Sequence, residues 1–230
     1  MKIEVLENAD AVAKQAANVI AADARAAVQA RGRFTLAVSG GHTPWVMLHA
    51  LSEMDLPWKH LHVIQVDERV APAGDPERNF THLRESLLDH APLAATQIHA
   101  MPVEALDLTV AAARYAATLR ELAGAPPTLD LVHLGLGPDG HTASLVPNDP
   151  VLEVNDADVA LTGPYQGHTR MTLTYRTINR ARRILWLVTG GEKAAMLPRL
   201  RAGDASIPAG RVREEHALVL ADAAAAALMG

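Results

Sequence analysis

Four short segments of this sequence hold residues able to do chemistry, and each lies beside an apolar run. The densest is Leu134-Gly135-Leu136-Gly137-Pro138-Asp139-Gly140-His141-Thr142-Ala143-Ser144-Leu145-Val146-Pro147. Three glycines between positions 135 and 140 imply a special backbone path. That path carries Asp139 and His141 on a turn. An imidazole so placed has the protonation range a general base needs near neutrality. The plainer alternative, a surface histidine on a loop, describes most of the other histidines in the chain.

The second segment is Ser39-Gly40-Gly41-His42-Thr43-Pro44. Its glycines let a ligand approach the backbone, and Ser39 and Thr43 add hydroxyls. A helix opening there offers free N–H groups and a partial positive charge, a combination that suits a phosphate. An ordinary strand-to-helix turn is the alternative, and the segment is neither a Walker loop nor a GxGxxG fingerprint. The third is Asp67-Glu68-Arg69, three charges at the end of an apolar run, functional or simply an ion-paired strand end. The fourth is a pair of cations, Arg170 and Lys193. Lysine at a helix start opposes the dipole, a conflict that a bound anion would relieve. Two solvated surface cations would look the same. His60 and His62 alternate on a strand with no visible partner and read as structural or surface residues. Ser39 lacks the GxSxG elbow of a nucleophile.

The elements that must position these segments alternate between short apolar runs and longer Ala-rich amphipathic stretches. Strands are expected near 3–6, 34–38, 61–66, 129–134, 184–188 and 217–220, with two shorter ones within 159–175. Helices are expected from Asn8 or Asp10 to Gly32, from Thr43-Pro44, over 77–89 and over 106–122. A further helix is expected from Glu192, bent or ended at Pro198, and a last Ala-rich one capped by Asp222. This order predicts an α/β fold: a mainly parallel sheet between helices, in a single domain spanning 1–230. Ligands of such sheets bind at the carboxyl ends of the strands, where the four segments lie.

Composition narrows the classes of function. The formal charge of −5 gives no basis for a nucleic-acid or anionic-membrane partner. The absence of cysteine removes disulfides, a thiol nucleophile and Cys-ligated metals, and fits a reducing compartment. No run approaches the roughly 20 apolar residues of a membrane helix, and the N-terminal stretch carries charges where a signal peptide is apolar. A cytoplasmic protein, monomeric or weakly homo-oligomeric, is expected.

Taken together, SGGHTP, VDERVAP and LGLGPDGHTASLVP, in this order and at these intervals, resemble the 6-phosphogluconolactonase family across nearly the whole chain. The resemblance implies a modified Rossmann-like α/β/α domain and hydrolysis of 6-phosphogluconolactone, with no metal or organic cofactor. It places the general base on His141 and the charged strand end on Asp67 and Arg69. It places the phosphate loop on Ser39, Gly40, Gly41 and Thr43. By similarity to the related glucosamine-6-phosphate deaminases, Arg170 and Lys193 also face the phosphate. In the expected mechanism Asp67 or Asp139 orients the imidazole, while Arg69 and N–H groups around Gly140 stabilise the oxyanion. The chain departs from the family pattern at His42, Arg78 and Val146, where Ser, Ser and Phe are common. Deaminases carry a carboxylate after the Gly-His pair, whereas Ala143-Ser144-Leu145-Val146-Pro147 has none. An amino-sugar-phosphate deaminase and a non-catalytic sugar-phosphate sensor remain the competing readings.

Overall fold

The computed structural model describes all 230 residues. Seven strands form a parallel sheet: β1 (Lys2–Leu6), β2 (Phe34–Val38), β3 (Leu61–Gln65), β5 (Ile98–His99), β6 (Leu131–Gly135), β9 (Arg183–Val188) and β10 (Ala217–Asp222). Their spatial order is β1-β10-β9-β6-β2-β3-β5. The adjacent strands β3, β2, β6 and β9 are those followed by the four chemical segments, apart from Arg170. Three short antiparallel strands form a second sheet, ordered β4 (Asp67–Arg69), β8 (Arg170–Leu173) and β7 (Val159–Leu161).

Alternation along β2 shows how the layers are made. Phe34, Leu36 and Val38 point into one apolar cluster and Ala37 into the other. The first cluster is closed by helices α1 (Ala9–Arg31) and α2 (His42–Ser52). The second is closed by α4 (Leu108–Ala123), by β8 of the small sheet and by α6 (Leu197–Arg201). Helix α1 starts where the Asn8 side chain accepts the Ala11 N–H, and it ends at Gly32 with φ of 75°.

Four expectations need correction. The stretch over 77–89 is a short helix α3 (Asn79–Leu83) that passes into a π turn at Arg84–Leu88. The helix expected from Glu192 is a 3₁₀ turn, Gly191–Lys193, followed by α6, which Pro198 opens instead of ending. The Ala-rich terminus folds as turns. There Asp222 ends β10, and its carboxylate accepts the N–H of Ala225 and that of Gly190. His62 does have a partner: its Nδ1 lies 3.1 Å from His99 Nε2 on the neighbouring strand. Between α3 and β8 lies α4, and α5 (Tyr175–Ile178) joins β8 to β9.

Candidate active site

A cleft of about 390 Å³ opens at the carboxyl ends of β2, β3, β6 and β9. Ser39, Gly40, Gly41, Thr43, Asp67, Arg69, His141, Arg170 and Lys193 all line it. Segments more than 150 residues apart in the chain therefore meet in one hollow. Two of the predicted residues do not reach the cleft surface: Asp139 stands behind His141, and Gly140 turns toward Ile207.

The His141 turn is built by its own backbone. Gly137 N–H donates to the His141 carbonyl at 2.8 Å, and Gly140 N–H donates to the Gly137 carbonyl at 3.0 Å. The Gly140 N–H is thereby spent, which removes it as the expected oxyanion donor. Two glycines are required by space. A Cβ on Gly137 would stand 2.1 Å from His141 Nδ1, and one on Gly140 (φ 84°) would stand 2.6 Å from the Ile207 Cβ. The imidazole is held by Asp139: Nδ1 lies 2.5 Å from Asp139 Oδ1, leaving Nε2 as the free nitrogen. Of the two carboxylates considered for this role, Asp139 fills it. Burial alone would raise the Asp139 carboxyl, but the His141 N–H, the imidazole and the Tyr165 hydroxyl outweigh it and hold it below the usual range.

Tyr165 is a residue that sequence reasoning missed. Its hydroxyl donates to Asp139 Oδ2 at 3.0 Å, its ring meets His141 edge-on, and the Arg170 guanidinium lies over its face at 5.0 Å. It joins the His141 turn to Arg170. The Tyr-Gln-Gly-His stretch carries no motif, so nothing in the sequence marked it.

Asp67 and Arg69 are placed by β4, which pairs Asp67 with Thr172 and Arg69 with Arg170. Asp67 is buried and accepts the Ser144 hydroxyl at 2.7 Å. Burial raises its carboxyl, against the pull of Ser144 and Arg170. Glu68, between them, was named only as one of three charges, with no role of its own. It is wholly buried and points away from the cleft. Its carboxylate accepts the N–H groups of Arg69, Asn79 and Phe80, each at 2.8 Å, and the Gln65 amide at 2.9 Å. The buried Arg78 pairs with Glu68 and Glu104, so it does not line the cleft as an added cation. Asn79, thus fixed, donates to the Asp67 carbonyl, and its Oδ1 occupies the space where a Gly40 Cβ would be. The triad of charges is a fixed platform, not a solvated strand end.

Another part of the cleft lining suits an anion. Gly40 and Gly41 lead into the N-terminus of α2, His42 and Thr43 border it, and Thr43 Oγ1 meets Thr189 Oγ1 at 2.8 Å. Ser39 N–H is taken by the buried His133 Nδ1 at 3.2 Å, and the Ser39 hydroxyl meets no partner in the protein. Arg170 is almost entirely buried, with Nε unpaired. Among the residues lining the cleft, Arg69, Arg170 and Lys193 stand against Asp67 and Glu192, and Glu77 pairs with Arg69 from outside it. On a protein with a net charge of −5, this cleft is locally positive.

Comparison with known proteins identifies the family. The family model described as glucosamine-6-phosphate isomerases/6-phosphogluconolactonase matches residues 7–221. A 6-phosphogluconolactonase of Nostoc sp. is 35% identical over 98% of this chain and 97% of that protein. The 6-phosphogluconolactonase of Mycobacterium tuberculosis is also 35% identical, with the same coverage. Among solved structures, the 6-phosphogluconolactonase from Thermotoga maritima superposes with a TM-score of 0.86 at 28% identity, covering 96% of this chain and 98% of that one. A monomeric glucosamine-6-phosphate deaminase reaches the same TM-score of 0.86 at 20% identity, over 99% of this chain and 100% of that one, and so shares the fold. The chain belongs to the glucosamine-6-phosphate isomerase/6-phosphogluconolactonase family.

Proposed function

We propose that this protein hydrolyses 6-phospho-D-glucono-1,5-lactone to 6-phospho-D-gluconate, the second step of the oxidative pentose phosphate pathway. The reading is supported by relatives of that name along nearly the whole chain. The observation that carries the mechanism is the pairing of His141 Nδ1 with Asp139 at 2.5 Å, in the same cleft as the α2 N-terminus, Arg170 and Lys193. The phosphate lies against the Ser39–Thr43 turn, Arg170 and Lys193, which brings C1 of the lactone to His141. Neutral His141 takes a proton from water through Nε2 as the water oxygen bonds to C1. Negative charge gathers on the former carbonyl oxygen, where Arg69 stabilises it. The C1–ring-oxygen bond then breaks, and the imidazolium returns its proton to the departing oxygen. A δ-lactone is an activated ester, so water suffices as nucleophile. No metal or organic cofactor enters the scheme. A cytoplasmic setting, with a monomer or weak homo-oligomer, completes the proposal and fits a chain without cysteine.

The decisive measurement is lactone hydrolysis corrected for spontaneous ring opening. A rate well above background is expected. Background-level opening while 6-phosphogluconate still binds would turn the reading toward a sensor. Ammonia release from glucosamine 6-phosphate would turn it toward a deaminase.

A further inference from the structure

At the amino ends of the strands, away from the cleft, the surface holds a second charged hollow of about 430 Å³. Arg176, Arg180, Arg211 and Arg213 line it, with Glu153 as the one carboxylate. Four positive charges against Glu153 and the buried Asp158, which pairs with two of them, leave it at +2, on a chain whose total is −5. Assembling like charges on an acidic protein is unfavourable unless something offsets it. We propose that this hollow is a second binding site, for a small molecule carrying at least two phosphate groups.

Internal pairing accounts for only part of the cluster. The buried Asp158 draws in Arg180 at 2.5 Å, Arg176 at 3.6 Å and, from outside the hollow, Arg120 at 3.1 Å. Arg211 and Arg213 do not touch it. Arg211 pairs with Glu153 at 2.9 Å and lies over the Tyr175 ring at 4.9 Å. The Arg213 guanidinium makes no hydrogen bond and no ion pair, so no protein group explains its presence beside three others.

The partners that do exist hold the guanidiniums still. Arg176 Nη1 donates to the Asn155 carbonyl, Arg180 Nε to the Pro127 carbonyl, and Arg211 Nη2 to the Leu152 carbonyl, each at 3.0 Å. A guanidinium has five N–H donors, so each retains donors for a ligand. Fixed forks of this kind match phosphate oxygens in paired hydrogen bonds. Four forks offer more paired donors than the oxygens of one phosphate can take up, so the site is assigned to two or more. The hollow has the volume of a small-molecule site, whereas a protein interface would need roughly 800 Å² of surface on each side.

Calorimetric titration of the full chain with inorganic tripolyphosphate tests the assignment. With 6-phosphogluconate in excess, which fills the cleft on the reading above, wild type should still bind tripolyphosphate. Arg176→Ala/Arg213→Ala should bind about tenfold more weakly or worse, the loss expected of charge-assisted hydrogen bonds. Both side chains are exposed, and Arg213→Glu, which loses no protein contact, repeats the test should the double variant unfold. No binding at millimolar tripolyphosphate overturns the proposal, as does binding that the arginine variants leave intact. Binding that excess 6-phosphogluconate abolishes assigns the anion to the cleft and also overturns it. Binding of a polyglutamate peptide in place of tripolyphosphate would hand the hollow to an acidic protein partner and overturn it too.

Discussion

Strand β6 and the turn after it carry two histidines eight positions apart, in opposite surroundings. His133 is fully buried, accepts one N–H from Ser39 and has no carboxylate near it, so burial pushes its imidazole down to about 3. His141 sits in the turn with a carboxylate at 2.5 Å and one nitrogen free toward the cleft. On the proposed mechanism, the same ring is a fixed neutral strut in one place and a proton carrier in the other. What separates them is access to water and a charged partner, not position along the chain. Both bear on the cleft, His133 by holding Ser39 and His141 by lining it.

The comparison can be broken most directly at its chemical member. His141→Ala should lower kcat by roughly 10²–10⁴, the worth of general acid–base help, with little change in thermal stability. Turnover within a few-fold of wild type would cancel the distinction between the two rings. Asp139→Asn should cost about 10² in kcat, near the lower end of that range, because the imidazole loses the group that fixes its tautomer. An unchanged kcat would show that the 2.5 Å contact does not matter to the chemistry.

The buried member should show itself in stability instead. The His133 imidazole is depressed in the folded state, while the unfolded chain titrates near 6.5. Folding is then unpenalised above about pH 6.5, and stability falls as pH drops below it, by up to about 1.4 kcal/mol per unit, until about pH 3. His133→Gln should flatten this part of the pH–stability curve measured by urea unfolding. A curve of unchanged slope would refute the buried neutral assignment. The smallest effect is expected from Tyr165→Phe. Loss of one exposed hydrogen bond to Asp139 is worth about 0.5–1.5 kcal/mol, or roughly a two- to twelvefold fall in kcat with KM less affected. A KM-only effect would place Tyr165 with Arg170 and not with the turn.

Much of the site was legible because α/β sheets send their chemistry to strand ends, and glycine, aspartate, histidine and arginine stand out against apolar runs. Glu68 was not legible. Flanked by Asp67 and Arg69 it reads as one more solvated charge. Its meaning comes from the Asn79 and Phe80 N–H groups, 11 and 12 positions later, which only the fold brings to it. Tyr165 was hidden for a similar reason, since its partners lie on other elements. The misread terminus shows the limit of propensity. Alanine favours helix, but between Ala223 and Gly230 only Ala225 is buried, and so short a segment gains too little packing to stay helical. Pro198 was misread because the same ring that ends a helix also fits its first turn.

The small sheet sets a rule for how this cleft can vary. Across its middle strand, Arg170 and Thr172 alternate with Met171 and Leu173, which pack into the core. Side chains on a strand change face at every step. Adding or deleting one residue inside β8 would therefore drive a guanidinium among Leu134, Val159 and their neighbours and expose a methionine in its stead. The same insertion placed in the 163–169 stretch is absorbed before the ladder begins. Length variation among relatives should therefore gather on that stretch and stop short of Arg170, so alignments of this family can be anchored there even where identity is low.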